Sequence, residues 1–243
     1  MRQFGLIGYP LAQSFSQKFF TEKFEKENLA DCRYDAFSIP SIDDLPDILK
    51  TNPELCGLNV TIPYKEQVLS FLDEKSALVK KIKACNCIKI KNGKLTGHNT
   101  DAPAFEQSFK EKLQPHHTKA LILGTGGAAK AVEYSLKQLN ISYKYVSRKP
   151  SAKSFSYEQL TDALMQDYTL VINTTPLGMH PNIIEAPQIP YHALTPKHYL
   201  FDVVYNPSKT LFLQKGEKQG AAIKNGYEML VLQAEESWKI WNE

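Results

Sequence analysis

Apolar runs alternate with amphipathic stretches along almost the whole of this 243-residue chain. Runs with strand character fall at residues 3–7, 33–37, 55–60, 120–123, 144–146, 170–173 and 199–203. Between them, apolar positions at helical spacing mark residues 15–28, 42–50, 102–113, 128–139 and 157–165. A last helix covers residues 227–241 and carries Met229, Leu230, Leu232 and both tryptophans. This alternation of strand and helix predicts an α/β protein with parallel sheets covered by helices on both faces. Ser41 followed by Asp44 has the spacing of a capping box at the second helix. Asn92-Gly93, within NCIKIKNGKLTGHN, is a hairpin-turn signal that breaks the alternation once. Near Asp101 a helix leads through the polar stretch 114–119 into a fresh strand with its own glycine-rich turn, so a second domain is expected to start there.

Composition narrows the class. Hydrophobic residues make up 42% and charged residues 23%, ordinary values for a globular protein. The net charge of +3 comes from 29 basic and 26 acidic residues scattered together, without a basic face interleaved with aromatics, so no nucleic acid is expected as a partner. No apolar run approaches eighteen residues, and the N-terminal MRQFGLIGYP reads as a buried strand and not as a signal peptide, so no membrane partner is expected either. The four cysteines, Cys32, Cys56, Cys85 and Cys87, form no C-x-x-C pair. Free buried thiols in a reducing cytoplasm are the expectation, with no metal.

The sharpest chemical signal is ALILGTGGAAKA at 120–131, a buried strand, a glycine turn and a helix start. Such a turn lets the backbone approach a pyrophosphate, whose charge then faces the N–H groups and positive dipole end of the helix. Gly124, Thr125, Gly126, Gly127 and Ala128 are the candidate contacts. An NAD site commonly carries an acid at the end of the next strand, about 20 residues on, for the ribose 2′-hydroxyl. Here that strand runs into Ser147-Arg148-Lys149-Pro150 with no acid. A guanidinium grips a 2′-phosphate through paired charge-assisted hydrogen bonds, so the cofactor is expected to be NADP.

Three polar clusters in the first half lie where strands end, the usual place for sites in open α/β sheets. Ser14 and Ser16, in GYPLAQSFSQKF, are placed to cap a helix or to present hydroxyls to a carboxylate. Asn59-Val-Thr-Ile-Pro-Tyr-Lys65 ends an apolar strand with Asn59 and Thr61 alternating onto one side and Pro63 stopping it before Lys65. Gly97-His-Asn-Thr-Asp101 is a polar turn before a helix, with Asp101 a candidate cap or a functional acid. Interconverting an alcohol and a ketone by hydride transfer needs a group that handles the alcohol proton and steadies the oxyanion. Lys65 and Asp101 suit that task. Lysine holds its proton near neutral pH, which favours Lys65 as donor in the reducing direction.

Taken together these segments resemble the shikimate dehydrogenase family, from about residue 4 to about residue 234. SFS, NVTIPYK, ACN, NTD, GTGGAAKA, SRK, NTTPLGM at 173–179, DVVYNPSKT at 202–210 and NGYEMLVLQA at 225–234 all fall in family order. The resemblance implies reversible NADPH-dependent reduction of 3-dehydroshikimate to shikimate, in the pathway to aromatic amino acids. It implies substrate contacts from Ser14, Ser16, Thr61, Asn86, Tyr205 and Gln233, with Lys65 and Asp101 as the catalytic pair. It further implies that Ser147, Arg148 and Lys149 join the glycine turn around the cofactor, with Val203 and Gly226 near the nicotinamide. The implied architecture is two open α/β domains flanking a cleft: residues 1–101 with 226–243 for substrate, and a Rossmann-like domain, 102–225, for NADP. A monomer or a homodimer is the expected assembly.

Some positions depart from the family pattern. Gln13 and Gln17 stand for histidine and proline, Cys87 for threonine, Ala102 for glycine, and Ser147 and Lys149 for asparagine and threonine. None removes a proton-handling group, but they leave room for looser cofactor discrimination. The rival readings are a quinate/shikimate dehydrogenase with relaxed cofactor use and a non-catalytic ligand-binding paralogue. Retention of Lys65 and Asp101 argues against the second. A methylenetetrahydrofolate dehydrogenase is disfavoured because a pterin needs flat apolar walls, whereas SFS and NTD offer small hydrogen-bonding groups.

Overall fold

The computed structural model describes residues 1–11, 15–151 and 154–243. The chain divides into two compact units, Met1–Thr100 with Ala234–Glu243, and Asp101–Gln233.

The first unit is built on β1 (Arg2–Gly8), α1 (Phe15–Lys26), β2 (Cys32–Ser38), α2 (Leu45–Thr51), β3 (Leu55–Val60), β4 (Glu74–Lys75), α3 (Ala77–Ile82), β5 (Cys87–Lys91) and β6 (Lys94–His98). Its sheet runs β2-β1-β3-β5-β6-β4. β1 lies parallel to both β2 and β3, and from Gln3 onward it is buried throughout, as a central strand covered on both faces must be. The β5–β6 hairpin turns at Asn92 and Gly93 with φ of +54° and +74°, the left-handed pair that the Asn-Gly signal predicts. One face of the sheet packs Ile7, Leu45, Leu58 and Val68. The other packs Phe4, Phe20, Phe24 and Tyr34 beneath Trp241.

The second unit carries α4 (Asp101–Lys110), β7 (Lys119–Leu123), α5 (Gly127–Gln138), β8 (Ser142–Val146), β9 (Ser154–Phe155), α6 (Asp162–Asp167), β10 (Leu170–Asn173), β11 (Tyr199–Asp202), α7 (Leu211–Lys218) and β12 (Ala222–Lys224). The strand order is β12-β11-β10-β7-β8-β9, and every pairing is parallel. Strands β7, β10 and β11 are almost wholly apolar because helices cover both faces. Phe105, Phe109, Val132 and Leu136 pack one face, and Met165, Phe212 and Leu213 pack the other. This is a doubly wound, Rossmann-like sheet.

The final helix, α8 (Tyr227–Asn242), contains the division between the units, at Gln233/Ala234. The sequence placed that division at Gly226. It falls later because Met229 and Leu232 pack into the core of the second unit. Asp101 likewise opens α4, whose Ala104, Phe105 and Phe109 belong to that core.

The expected helix at 42–50 is a 3₁₀ turn, Ile42–Asp44, running into α2, and the Ser41/Asp44 capping box is formed. The expected helix at 157–165 is likewise split, because extended Thr161 ends the turn Tyr157–Gln159 and caps α6. The hydropathy pattern left α3, α7, β4, β9 and β12 unmarked. Of these, α7 hides behind Gly216, which lies so close to Leu200 that a Cβ there would come within 2.3 Å of Cδ2. β12 is three half-buried residues, too short to show alternation.

The end of α8 is fastened by Trp241, which stacks on Phe4 at 4.9 Å between ring centroids and donates from Nε1 to the Ile88 carbonyl at 3.0 Å. Trp241→Phe leaves that carbonyl short of a donor and a gap beside Phe4. The expected loss is about 1–3 kcal/mol of unfolding free energy, read from urea denaturation; an unchanged midpoint would show that the indole N–H contributes nothing.

Candidate active site

In the first unit the polar residues at the strand ends form a buried hydrogen-bonded chain. Ser16, on α1, is buried and shares a hydrogen bond with the Tyr34 hydroxyl. Tyr34 donates to Asn59 Oδ1 at 2.8 Å, and Asn59 Nδ2 donates to Ser237 Oγ at 3.0 Å and to the Asn86 carbonyl at 3.3 Å. Asn86 grips Thr100 twice, donating from Nδ2 to Oγ1 at 2.8 Å and accepting from the backbone N–H at 2.7 Å. Burial pushes the Tyr34 phenol well above its ordinary range, so it keeps its proton and remains a donor.

Thr61 and Lys65 occupy the turn that follows β3. The Thr61 N–H donates to Ile7 at 3.0 Å, and the Lys65 carbonyl accepts from the Cys85 N–H at 2.7 Å. The Val60 N–H donates to the Asn86 carbonyl at 2.9 Å, so the segments bearing Lys65 and Asn86 run side by side. Lys65 is half-buried, with its turn held at both ends. Ser14 lies outside the described residues. Cys87 is buried beside Ser237 and Trp241, and burial pushes its thiol up. All four cysteines are free.

In the second unit Asp101 is the buried first residue of α4. Gln233 is buried on α8 and donates from Nε2 to the Leu230 carbonyl at 2.9 Å. Tyr205 is half-buried in the loop after β11.

The glycine turn joins β7 to α5. Gly124 has φ of +102°, and a Cβ there would come within 2.9 Å of Thr174 Oγ1, so both conformation and space demand glycine. Gly126 caps α5 without a side-chain bond, and beside it Thr125 is exposed while Gly127 and Ala128 are half-buried. The N–H groups of such a first turn face water or an anion. Beyond β8, a pocket of about 690 Å³ is lined by Thr125, Tyr145, Ser147, Arg148, Lys149, Ser151 and Ser154. The glycine turn and the Ser147-Arg148-Lys149 triad are thus brought together around one hollow. Tyr145 is fixed from behind, its hydroxyl donating to Glu133 Oε2 at 2.6 Å. Burial opposes ionisation of Glu133, but bonds from Lys137, Tyr143 and Tyr145 outweigh it and hold the carboxyl below its usual range. Among the described residues no acid lines the pocket, so none of them repels a 2′-phosphate.

Val203 and Gly226 meet at the far side of the sheet. A Cβ on Gly226 would come within 2.2 Å of the Val203 carbonyl oxygen, and the Gly226 N–H donates to the Val204 carbonyl at 3.2 Å.

The sequence did not single out Asp202, Asn173, Thr210, Ser237 or the serines Ser151 and Ser154. Asp202 is fully buried at the end of β11, where Thr210 Oγ1 donates at 2.5 Å and the Val204 N–H and Asn173 Nδ2 each donate at 3.0 Å. Burial pushes its carboxyl up to about 7, against those bonds. An acid closing the apolar strand YLFD was the available signal. Among the described residues no cluster could hold a metal ion, and no helix is long and apolar enough to cross a membrane.

Fold and site together define a Rossmann-like α/β protein with a cationic pocket beside its glycine turn. The description of the shikimate dehydrogenase substrate-binding domain matches residues 6–88. A shikimate dehydrogenase (NADP(+)) from Caldicellulosiruptor saccharolyticus is 33% identical over 99% of this chain and 92% of its own. The crystal structure of shikimate dehydrogenase 1 from Peptoclostridium difficile superposes with a TM-score of 0.87 at 33% identity, covering 100% of this chain and 92% of that one. The Thermus thermophilus shikimate 5-dehydrogenase, solved with NADP(H) and shikimate, gives 0.83 at 29% identity, covering 99% of this chain and 93% of that one. The chain belongs to the shikimate dehydrogenase family.

Asp202 makes a testable contribution to stability. Its folded value, about 7, lies above the ordinary 3.8, so the folded chain binds its proton more tightly than the unfolded chain does. The resulting stabilisation is complete below the unfolded value and is lost as pH rises through the folded one. Relative to Asp202→Asn, the wild type is therefore expected to lose unfolding free energy between about pH 4 and pH 7, by at most about 1.4 kcal/mol per pH unit. Urea denaturation across that range checks it; parallel pH profiles for the two proteins refute the buried titration.

Proposed function

We propose that this chain is an NADP-dependent shikimate dehydrogenase that reversibly reduces 3-dehydroshikimate to shikimate on the route to aromatic amino acids. The observation that carries the reading is the acid-free pocket joining Thr125 of the glycine turn to Ser147, Arg148 and Lys149. Kinship with NADP-dependent relatives along the whole chain supports it. The first unit is the substrate-binding domain and the second the NADP-binding domain.

NADPH, when bound, supplies the hydride. Its pyrophosphate suits the first turn of α5, and its 2′-phosphate suits Arg148 with Ser147 and Lys149. Ser14, Ser16, Thr61, Asn86, Tyr205 and Gln233 hold the substrate's carboxylate and hydroxyls. Lys65 donates the proton that the reduced carbonyl oxygen takes up, and steadies negative charge on that oxygen as it develops. Asp101 pairs with it in proton handling and in orienting the hydroxyl. In the oxidative direction the same groups receive the proton. The enzyme works in the cytoplasm, as a monomer or homodimer, where its thiols stay reduced.

Absorbance at 340 nm, with shikimate or quinate against NADP+ or NAD+, tests the reading. The fastest turnover is expected with shikimate and NADP+; faster turnover with NAD+ overturns the cofactor assignment. Lys65→Ala is expected to lower turnover by about a hundredfold or more while leaving the thermal midpoint nearly unchanged. Turnover at the wild-type rate removes Lys65 from the chemistry. Arg148→Ala is expected to raise KM for NADP+ by about tenfold or more with little effect on NAD+, in proportion to one lost charged hydrogen bond. Equal effects on the two cofactors remove the 2′-phosphate contact.

A further inference from the structure

Three strands of the second unit end level with one another. Leu123 pairs with Asn173, and Asn173 pairs with Asp202. The loops that leave these ends are tied by buried bonds that converge on Asp202. Asn173 accepts at Oδ1 from the N–H and hydroxyl of Thr175, at 3.0 and 2.6 Å, which folds the loop after β10 back on itself. Asn173 Nδ2 donates to Asp202 Oδ1 at 3.0 Å, and the same oxygen accepts from the Val204 N–H. Asp202 Oδ2 accepts from Thr210 Oγ1, the hydroxyl that caps α7. Thr174 Oγ1 completes the chain by donating to the Leu123 carbonyl at 2.6 Å, beside the glycine turn. Asn173, Asp202 and Thr210 are all fully buried.

We infer that Asp202 is a positioning residue for the cofactor: it fixes the loops after β10 and β11 at the spacing that the nicotinamide half of NADP requires. This rests on the NADP reading above. Burying a carboxyl is costly, and an apolar side chain would fill this volume without that cost. What the carboxyl adds is reach. Its two oxygens restrain Val204 within one loop, Asn173 at the root of the other, and the cap of α7, so the three move as one body. Val203 lies between Asp202 and Val204, and its carbonyl is pressed against Gly226, so its position follows directly from the carboxyl's. A side chain that acts through others in this way governs how well the cofactor is seated, and leaves the substrate contacts of the first unit untouched.

The test uses the full chain, with NADP+ reduction by shikimate followed at 340 nm and NADP+ affinity measured by isothermal titration calorimetry. Asp202→Ala is expected to raise KM and Kd for NADP+ about tenfold or more, and by several-fold more than it raises KM for shikimate, which feels the loop after β11 only through Tyr205. Asp202→Asn keeps the shape and supplies both an acceptor for Val204 and Asn173 and a donor for Thr210, so it is expected to restore NADP+ binding to within about threefold. A merely structural anchor would lower the melting temperature of Asp202→Ala and leave KM for NADP+ unchanged, and that result overturns the proposal. Should Asp202→Ala not fold, Thr210→Val removes one of its bonds at nearly constant volume and is expected to raise KM for NADP+ about threefold or more; no change there overturns it equally. A wild-type protein that neither binds nor reduces NADP+ defeats the cofactor reading itself. Wild-type activity with an indifferent Asp202→Ala defeats only the positioning role.

Discussion

The level ending of β7, β10 and β11 is the constraint on which the second unit's chemistry depends. Parallel strands paired Leu123 to Asn173 to Asp202 deliver three loops to one edge of the sheet, and a shift of one residue would turn every side chain to the opposite face. In this register the glycine turn leaves β7 beside Thr174, and Asn173 and Asp202 stand next to each other. The apolar cores on both faces hold the register, since β7, β10 and β11 are buried from above and below. Hydrophobic burial thus decides where the loops begin. Hydrogen bonds decide the path each then takes.

The first unit solves a related problem differently. Ser16, Asn59, Asn86 and Thr100 are buried polar groups, and a buried polar atom left unpaired is expensive. Tyr34 and Ser237 answer that need from β2 and α8, the first held un-ionised by burial, the second bonded to Asn59. Each amide is therefore oriented before any ligand arrives: Asn59 Nδ2 faces a backbone carbonyl, and Asn86 Oδ1 faces a backbone N–H. A flip of either amide would set donor against donor or acceptor against acceptor at its backbone partner. A site whose donors and acceptors are fixed in advance spends little ordering free energy on binding.

Most of the architecture was legible because burial leaves a periodic trace. The strands 55–60 and 170–173 were read to the residue, and the Asn-Gly hairpin and the Ser41 capping box formed as their local chemistry demands. Elements without an extended pattern escaped, as α7 did through its glycine and β12 through its brevity. The site was legible where a motif has a mechanism of its own, as the glycine turn has. Ser237 and Tyr34 were not, because their partners are distant in sequence, and Asp202 stood out only as the first residue of a family segment with no role attached. Asn59 reaches Ser237 across 178 positions, and only the fold tells such a pair from two polar residues facing water.

The pocket beside Arg148 and the buried cluster at Asp202 obey different physics. Around Asn173 and Asp202 the bonds are short, dry and shared, so a change in one partner disturbs several. Around Arg148 and Lys149, both exposed, the attraction is carried by charge in contact with solvent and is screened by salt. Substitution at the exposed end therefore costs the fold almost nothing. Substitution at the buried end costs stability and geometry together. A change at Arg148 or Lys149 thus leaves the buried bonds intact, whereas a change at Asp202 loosens the cap of α7 and both neighbouring loops at once.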